Sequence, residues 1–212
     1  MAGYNTIRGL RVNYLGADPA NPETGQVWYN SATGNLRVDG IQGTGTWASG
    51  GALNTLNSAI AGAGTQNDML VATGTSPANP GISTNAEVYD GTCWAAITPS
   101  PTATSQAAST GTVTTAANIV GGGSGAAPKY NVTQHWNGSG WSAGGTIATA
   151  RANMRGTGPD AAGIILGGQA PTGSSAAEKY NGTSWSSAGN LVAANFGGSM
   201  AGTSGAAIGF GG

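Results

Sequence analysis

His135 is the only histidine of the chain and Cys93 the only cysteine. Acyl-transfer chemistry needs a base beside a nucleophile, with a third group to orient the base. His135 lies in Val132-Thr133-Gln134-His135-Trp136, beside a recurring aromatic, and reads as a packing or surface residue; a general base is the competing role. Glu87 and Glu178 are the carboxylates that would suit paired acid and base work. Each lies two residues before an aromatic, Tyr89 or Tyr180, and Gln134 takes the same place before Trp136. Repeat equivalence therefore explains them, and a hydrogen bond within each repeat is their expected role. Cys93 stands where the other copies carry Gly140 and Ser184, so small size is a sufficient reason for it and a reactive thiol the lesser reading. The sequence contains no P-loop and no His and carboxylate cluster at metal spacing. These residues predict a protein that is not an enzyme and carries no cofactor or metal.

The elements that must position these residues repeat. Tyr89-Asp-Gly-Thr-Cys-Trp94, Trp136-Asn-Gly-Ser-Gly-Trp141 and Tyr180-Asn-Gly-Thr-Ser-Trp185 each place an aromatic, an Asp-Gly or Asn-Gly pair, and a Trp five residues after the first aromatic. Asp-Gly and Asn-Gly supply the positive φ of a tight turn, so each copy predicts a β-hairpin. Upstream of each lies a short apolar run ending in glycine: Leu70 to Gly74, Asn118 to Gly122 and Ile164 to Gly168, with Ala207 to Gly212 as a fourth. These read as buried strands, the double glycine allowing a sharp exit and close backbone approach. Another glycine- and alanine-rich strand precedes each run, giving a unit of four strands. Trp47 lies 47 residues before Trp94, as Trp94 does before Trp141, and Leu36 to Gly51 reads as a degenerate outer pair of strands.

Composition narrows the partners. Of 212 residues, only 7% are charged and the net charge is -1, which removes the polybasic signature of nucleic-acid binding or of attraction to an anionic membrane. No apolar stretch approaches the roughly 20 residues needed to span a bilayer, so no membrane insertion is expected. No secretion signal is read at the N-terminus, and one cysteine provides no intrachain disulfide. Thirty-nine glycines leave little apolar area per residue, so burial beyond one chain is expected.

An apolar strand ending in Gly-Gly, a Tyr 12 to 15 residues on and a Trp close behind it resemble the kelch repeat over roughly residues 38 to 212, and Thr146 to Arg151 matches that family's small-residue and Arg pattern. The resemblance implies an all-β, kelch-like β-propeller of about four blades. Closure by strands from the two ends of one chain and closure between subunits are the two alternatives. Residues 1-35 form a different object, rich in large side chains, read as an extended strand and hairpin arm before a repeat domain at 36-212, with Gln26 to Asn30 as a short strand and Ser31 to Val38 as its turn and return strand. Its Gly25 to Arg37 segment resembles virion and tail-fibre proteins of tailed phages, particularly marine ones. That resemblance implies a virion component assembled in the host cytoplasm, anchored to other virion proteins and displaying its repeats as a tail fibre, adhesin or head decoration. The expected attachment residues are Ile7, Arg8, Leu10, Arg11, Tyr14, Trp28 and Tyr29. A homo-oligomer, with a trimer first, is expected to cover the apolar arm residues, including Trp28, that a monomer would expose.

Trp47, Tyr89, Trp94, Trp136, Trp141, Tyr180 and Trp185 are the expected structural aromatics of the repeat. Packing between blades is the first reading, and stacking on a host surface glycan, as in a free carbohydrate-binding propeller lectin, is the alternative. The sequons at Asn131, Asn137 and Asn181 read as turn chemistry, because a phage product does not meet eukaryotic glycosylation. The polar loops at Thr75 to Thr84 and Gln169 to Ser175 are the expected place for recognition.

Overall fold

The computed structural model describes residues 12–23, 25–38, 49–77, 81–123 and 128–212. The chain divides into two compact units, Met1–Ser49 and Gly50–Gly212, whereas composition shifts near residue 36. Ile7, Arg8, Leu10, Arg11 and Trp47 lie outside the described residues.

In the first unit, β1 (Asn13–Leu15) runs parallel to β2 (Val27–Asn30), which turns back into β3 (Asn35–Val38). Asn30 shapes that turn: its side-chain oxygen accepts from the amides of Ala32 and Thr33 at 3.0 and 3.1 Å. Gly34 closes the turn in the left-handed region, φ 71°. The return strand read from sequence over Leu36 to Val38 is present, with Leu36 paired to Tyr29, so Leu36 does not begin a degenerate outer pair of the repeats. The partial exposure expected of Trp28 is also corrected. It is 5% exposed, covered by its own chain, and its indole N–H donates to Asp18 at 2.8 Å.

The second unit is a succession of antiparallel sheets. The first holds β4 (Ala61–Thr65), β5 (Asp68–Ala72), β8 (Ala86–Tyr89) and β9 (Trp94–Ala96), with a two-stranded hairpin, β6 (Thr75–Ser76) and β7 (Gly81–Ile82), between β5 and β8. The second is a plain meander of β10 (Ala108–Val113), β11 (Ala116–Val120), β12 (Thr133–Trp136) and β13 (Trp141–Gly144). The third holds β14 (Arg155–Thr157), β15 (Ile164–Leu166), β18 (Ala176–Tyr180) and β19 (Trp185–Asn190), again interrupted by a hairpin of β16 (Gln169–Ala170) and β17 (Thr172–Gly173). β20 (Ser199–Thr203) pairs with β21 (Ala206–Phe210) to begin a fourth. Among the described residues there is no α-helix, and the only 3-10 turn is at Asp160–Ala162. The class is all-β.

Apolar residues alternate toward the spaces between sheets. One core joins Leu70 and Ala86 of the first sheet to Ala117, Ile119 and Trp136 of the second, with Trp141 packed against it. Another joins Val120 of the second sheet to Ile147, Met154 and Ile165 of the third repeat, with Trp185 at its margin. The sharp exit after each buried strand is built as its glycines demand. Gly121 and Gly122 have φ 62° and 91°, and Gly167 and Gly168 have φ 60° and 92°. A Cβ on Gly74, Gly122 or Gly168 would lie 2.5 to 2.8 Å from the carbonyl oxygen of Ser58, Ser105 or Ala152. The first repeat carries Thr73 where the others have the leading glycine, at φ 64°.

Candidate ligand-binding site

The first strands of the successive sheets, β4, β10, β14 and β20, meet along one line. Three residues enter it in the left-handed conformation without being glycine: Ala59 (φ 51°), Gln106 (φ 56°) and Asn153 (φ 54°). They are 47 residues apart, and such conformations persist only where the surroundings hold them. Here the neighbours do so through main-chain bonds. Gln106 N–H donates to Ala59 C=O at 2.9 Å, Asn153 N–H to Gln106 C=O at 2.8 Å, and Gly197 N–H to Asn153 C=O at 3.3 Å. Deeper along the line, Ser109 Oγ donates to Gly62 C=O at 2.5 Å and Thr157 Oγ1 to Gly202 C=O at 2.9 Å. The contact is close enough that a Cβ on Gly156 would sit 3.2 Å from the Ser109 nitrogen.

Around these left-handed residues the strands leave a cavity of about 420 Å³, whose wall includes Gln106, Ser109, Asn153, Arg155 and Ser199. Arg155 is its only charged lining residue. Its Nε–H donates to Gly198 C=O and its Nη1 to Met154 C=O, the latter at 2.9 Å. Among the described residues it makes no salt bridge. A second cavity of about 210 Å³ shares Asn153, Arg155 and Ser199, and its remaining wall includes Leu166, Leu191 and Phe210. At the far end of the line, Gly64, Gly111, Gly158 and Gly202 surround a further space of about 320 Å³.

The residues singled out from sequence for chemistry lie elsewhere. His135 Nδ1 is 2.9 Å from Asn118 Oδ1. Asn118 Nδ2 donates to Asp160 C=O at 2.7 Å and to Thr110 Oγ1 at 3.0 Å, so the amide is oriented and its oxygen receives the His135 Nδ1 proton. Glu87 and Glu178 are in different sheets, and each ties down the segment that enters its own repeat. Glu87 accepts from the amides of Asn54 and Thr55 at 2.9 and 2.8 Å, and Glu178 from that of Ala148 at 2.9 Å. Gln134 takes the same place, accepting from Thr102 N–H at 2.8 Å. Cys93 is exposed in its turn, where the Asp90 carboxylate caps the amides of Thr92 and Cys93. Those amide bonds hold the Asp90 carboxyl below the usual carboxylate range.

The aromatic pairs flank the hairpin turns as cross-strand partners: Tyr89 with Trp94, Trp136 with Trp141 and Tyr180 with Trp185, ring centres 4.8 to 5.2 Å apart. The tryptophan that follows each turn is half-buried and uses its N–H. Trp94 donates to Gly51 C=O at 3.0 Å, Trp141 to Thr98 C=O at 2.8 Å and Trp185 to Thr133 Oγ1 at 2.8 Å. In the first unit, Tyr14 and Tyr29 pack with ring centres 4.5 Å apart. Gln106, Asn153 and Arg155 escaped the sequence reading; the signal for them was polar side chains at repeat positions that elsewhere hold alanine, Arg155 standing where Ala61 and Ala108 stand.

No protein-family model matches the chain. No curated protein matches it either. Among solved structures the chain is similar to one described as the structure of YjhT, at 14% identity and a TM-score of 0.51. The likeness covers 77% of this chain and 51% of that one, so the chain spans about half the length of the structure it resembles. At that identity the likeness is one of all-β fold.

Proposed function

We propose that this protein is a non-enzymatic structural component of a tailed-phage particle, in which the first unit attaches to other virion proteins and the repeat unit is displayed. The observation that carries the reading is the division into two separately built units. The first closes its own small sheet around Asp18, Trp28 and Asn30 while leaving Val12 and Tyr14 exposed, and it carries the segment that resembles virion proteins. The second ties its repeats together through main-chain bonds, which leaves the hairpin loops free to vary. The repeat sheets are read as blades of a kelch-like propeller of about four, with β20 and β21 opening the fourth.

The test is mass spectrometry of purified particles together with a chain lacking residues 1–49. The full chain is expected in the particle at a fixed copy number, and the truncated chain is expected to fold and be absent from it. A truncated chain retained at full occupancy refutes the attachment role. A homo-oligomer, a trimer first, belongs to the same reading, supported by the exposed Tyr14, Ile208 and Phe210. A stable monomer by sedimentation at micromolar concentration overturns it. Carbohydrate recognition by the repeat unit is the second reading, favoured by the cavity at the meeting of the first strands.

A further inference from the structure

We propose that the cavity walled by Gln106, Asn153 and Arg155 binds a sugar carboxylate of the hexuronic acid class; the proposal rests on the carbohydrate-recognition reading of the repeat unit and deepens it. Arg155 opens β14 at the place where Ala61 opens β4 and Ala108 opens β10, so a cation stands in a wall otherwise made of neutral residues. Two of its five N–H donors are spent on the carbonyls of Gly198 and Met154, which fix the guanidinium plane. The remaining donors have no carboxylate partner among the described residues. Arg155 is half-buried, where the attraction of an uncompensated cation for an anion is less screened than in open water. The planar fork matches a carboxylate in bidentate geometry.

The other walls select what carries that carboxylate. Gln106 and Asn153 bring carboxamides and Ser199 a hydroxyl, able to exchange hydrogen bonds with sugar hydroxyl groups, while Ser109, whose proton is donated to Gly62 C=O, can still accept one. The second cavity, which shares Asn153, Arg155 and Ser199 with the first, offers Leu166, Leu191 and Phe210 to the C–H face of a ring. A volume of about 420 Å³ falls within the usual span of small-ligand pockets. No carboxylate or histidine lines either cavity, so the arrangement holds a ligand and brings no acid or base to it.

The experiment is an NMR titration of the full-length protein with glucuronate, with glucose as the neutral ring of the same shape, and with inorganic sulfate as a bare anion. Glucuronate is expected to shift the amides of Gln106, Asn153 and Arg155, with glucose and sulfate each binding at least tenfold more weakly. Arg155→Gln should reduce glucuronate affinity at least tenfold, and Arg155→Lys should restore only part of it, because the charge returns without the fork. Gln106→Asn keeps a residue suited to the left-handed conformation and the main-chain bonds, so it should weaken glucuronate several-fold with unchanged melting, even if the Arg155 variants fold poorly. Glucose binding as tightly as glucuronate overturns the carboxylate assignment and leaves carbohydrate recognition standing. Sulfate binding as tightly as glucuronate reduces the site to a general anion site and overturns the sugar assignment. Failure of both sugars to bind overturns this proposal and the recognition reading together, while presence in the particle is read independently by mass spectrometry.

Discussion

In the third repeat sheet the buried carboxylate of Glu178 faces the guanidinium of Arg151, itself fully buried and also bonded to the carbonyls of Gly167 and Ala176 at 2.6 and 3.0 Å. In the first sheet the equivalent Glu87 has only neutral partners, Asn54 and Thr55, and the place of the guanidinium is a void lined by Asn57, Thr73 and Glu87, too tight to admit a water. Asn57 Oδ1, Thr73 Oγ1, Thr104 Oγ1 and Arg151 Nε are buried without a hydrogen-bond partner among the described residues. Asn57, Thr104 and Arg151 share one repeat position, each 47 residues from the next. The same backbone frame therefore accepts a charged knot or a neutral one, and the cost of each falls on different atoms. An ion pair demands that both partners be present; a neutral site tolerates an unused oxygen.

Breaking the knot is the most severe way to separate the two sheets. Arg151→Ala strands a buried carboxylate and is expected to cost about 3 to 5 kcal/mol, read by denaturant unfolding, whereas Asn57→Ala at the equivalent place should cost less than about 1 kcal/mol because its side-chain oxygen is unused. Equal costs would show that the pair contributes nothing special. Glu87→Gln sharpens the contrast. Gln134 already performs this role in the second sheet, so the variant should lose only about 1 to 2 kcal/mol, the difference between charged and neutral hydrogen bonds, while Glu178→Gln should lose more.

The leading-glycine position allows a test in the stabilising direction. Thr73 holds a β-branched side chain at φ 64° with its hydroxyl unpaired, where the later repeats use Gly121 and Gly167. Thr73→Gly should raise stability by about 1 kcal/mol, seen as a higher melting temperature, with Gly121→Thr moving the opposite way by more. A lowered melting temperature for Thr73→Gly would mean that the packing of its methyl outweighs the strain.

A carboxylate in the first unit extends the comparison to the surface. Hydrogen bonds from Asn30 and Trp28, with Arg37 at 3.3 Å, hold the Asp18 carboxyl below the usual carboxylate range. A lowered folded value means that this contribution is complete above the ordinary carboxylate range near pH 4 and is lost as pH falls through the folded value. The indole N–H resonance of Trp28 is the reporter. It should shift in acid below the pH at which free aspartate titrates, and Asp18→Asn should abolish the shift while the resonances of Trp141 and Trp185 stay in place.

The repeat was legible in sequence because its turns use scarce chemistry. Asp-Gly and Asn-Gly between aromatics, and glycine pairs after apolar runs, each have one good structural meaning, and the hairpins and buried strands lie where those residues stand. Leu36 was legible as part of the return strand after Asn30 but was also assigned to a degenerate outer pair, because a strand of alternating character carries no mark of which neighbour it will pair with; its partner Tyr29 is nearer in sequence than any repeat strand. The role of Trp28 was missed because Asp18, its partner, lies ten residues away across a proline-rich turn. The cavity was illegible for a different reason. Its shape comes from backbone brought together over spans of 47 residues, and Arg155, Gln106 and Asn153 are ordinary polar residues until that convergence is known.

The chain of bonds from Gly197 through Asn153 and Gln106 to Ala59 is made entirely of peptide groups. This part of the register between neighbours is thus independent of which side chains are carried, provided that the left-handed conformation is supported and the glycines at close approach are kept, and side-chain bonds such as those of Ser109 and Thr157 add to it. Mutation at most loop and surface positions then changes what a repeat presents without changing where it stands. The head of the first strand in successive sheets accordingly carries Ala61, Ala108 or Arg155 on one and the same scaffold, so what a repeat presents there can differ by one side chain while its frame does not.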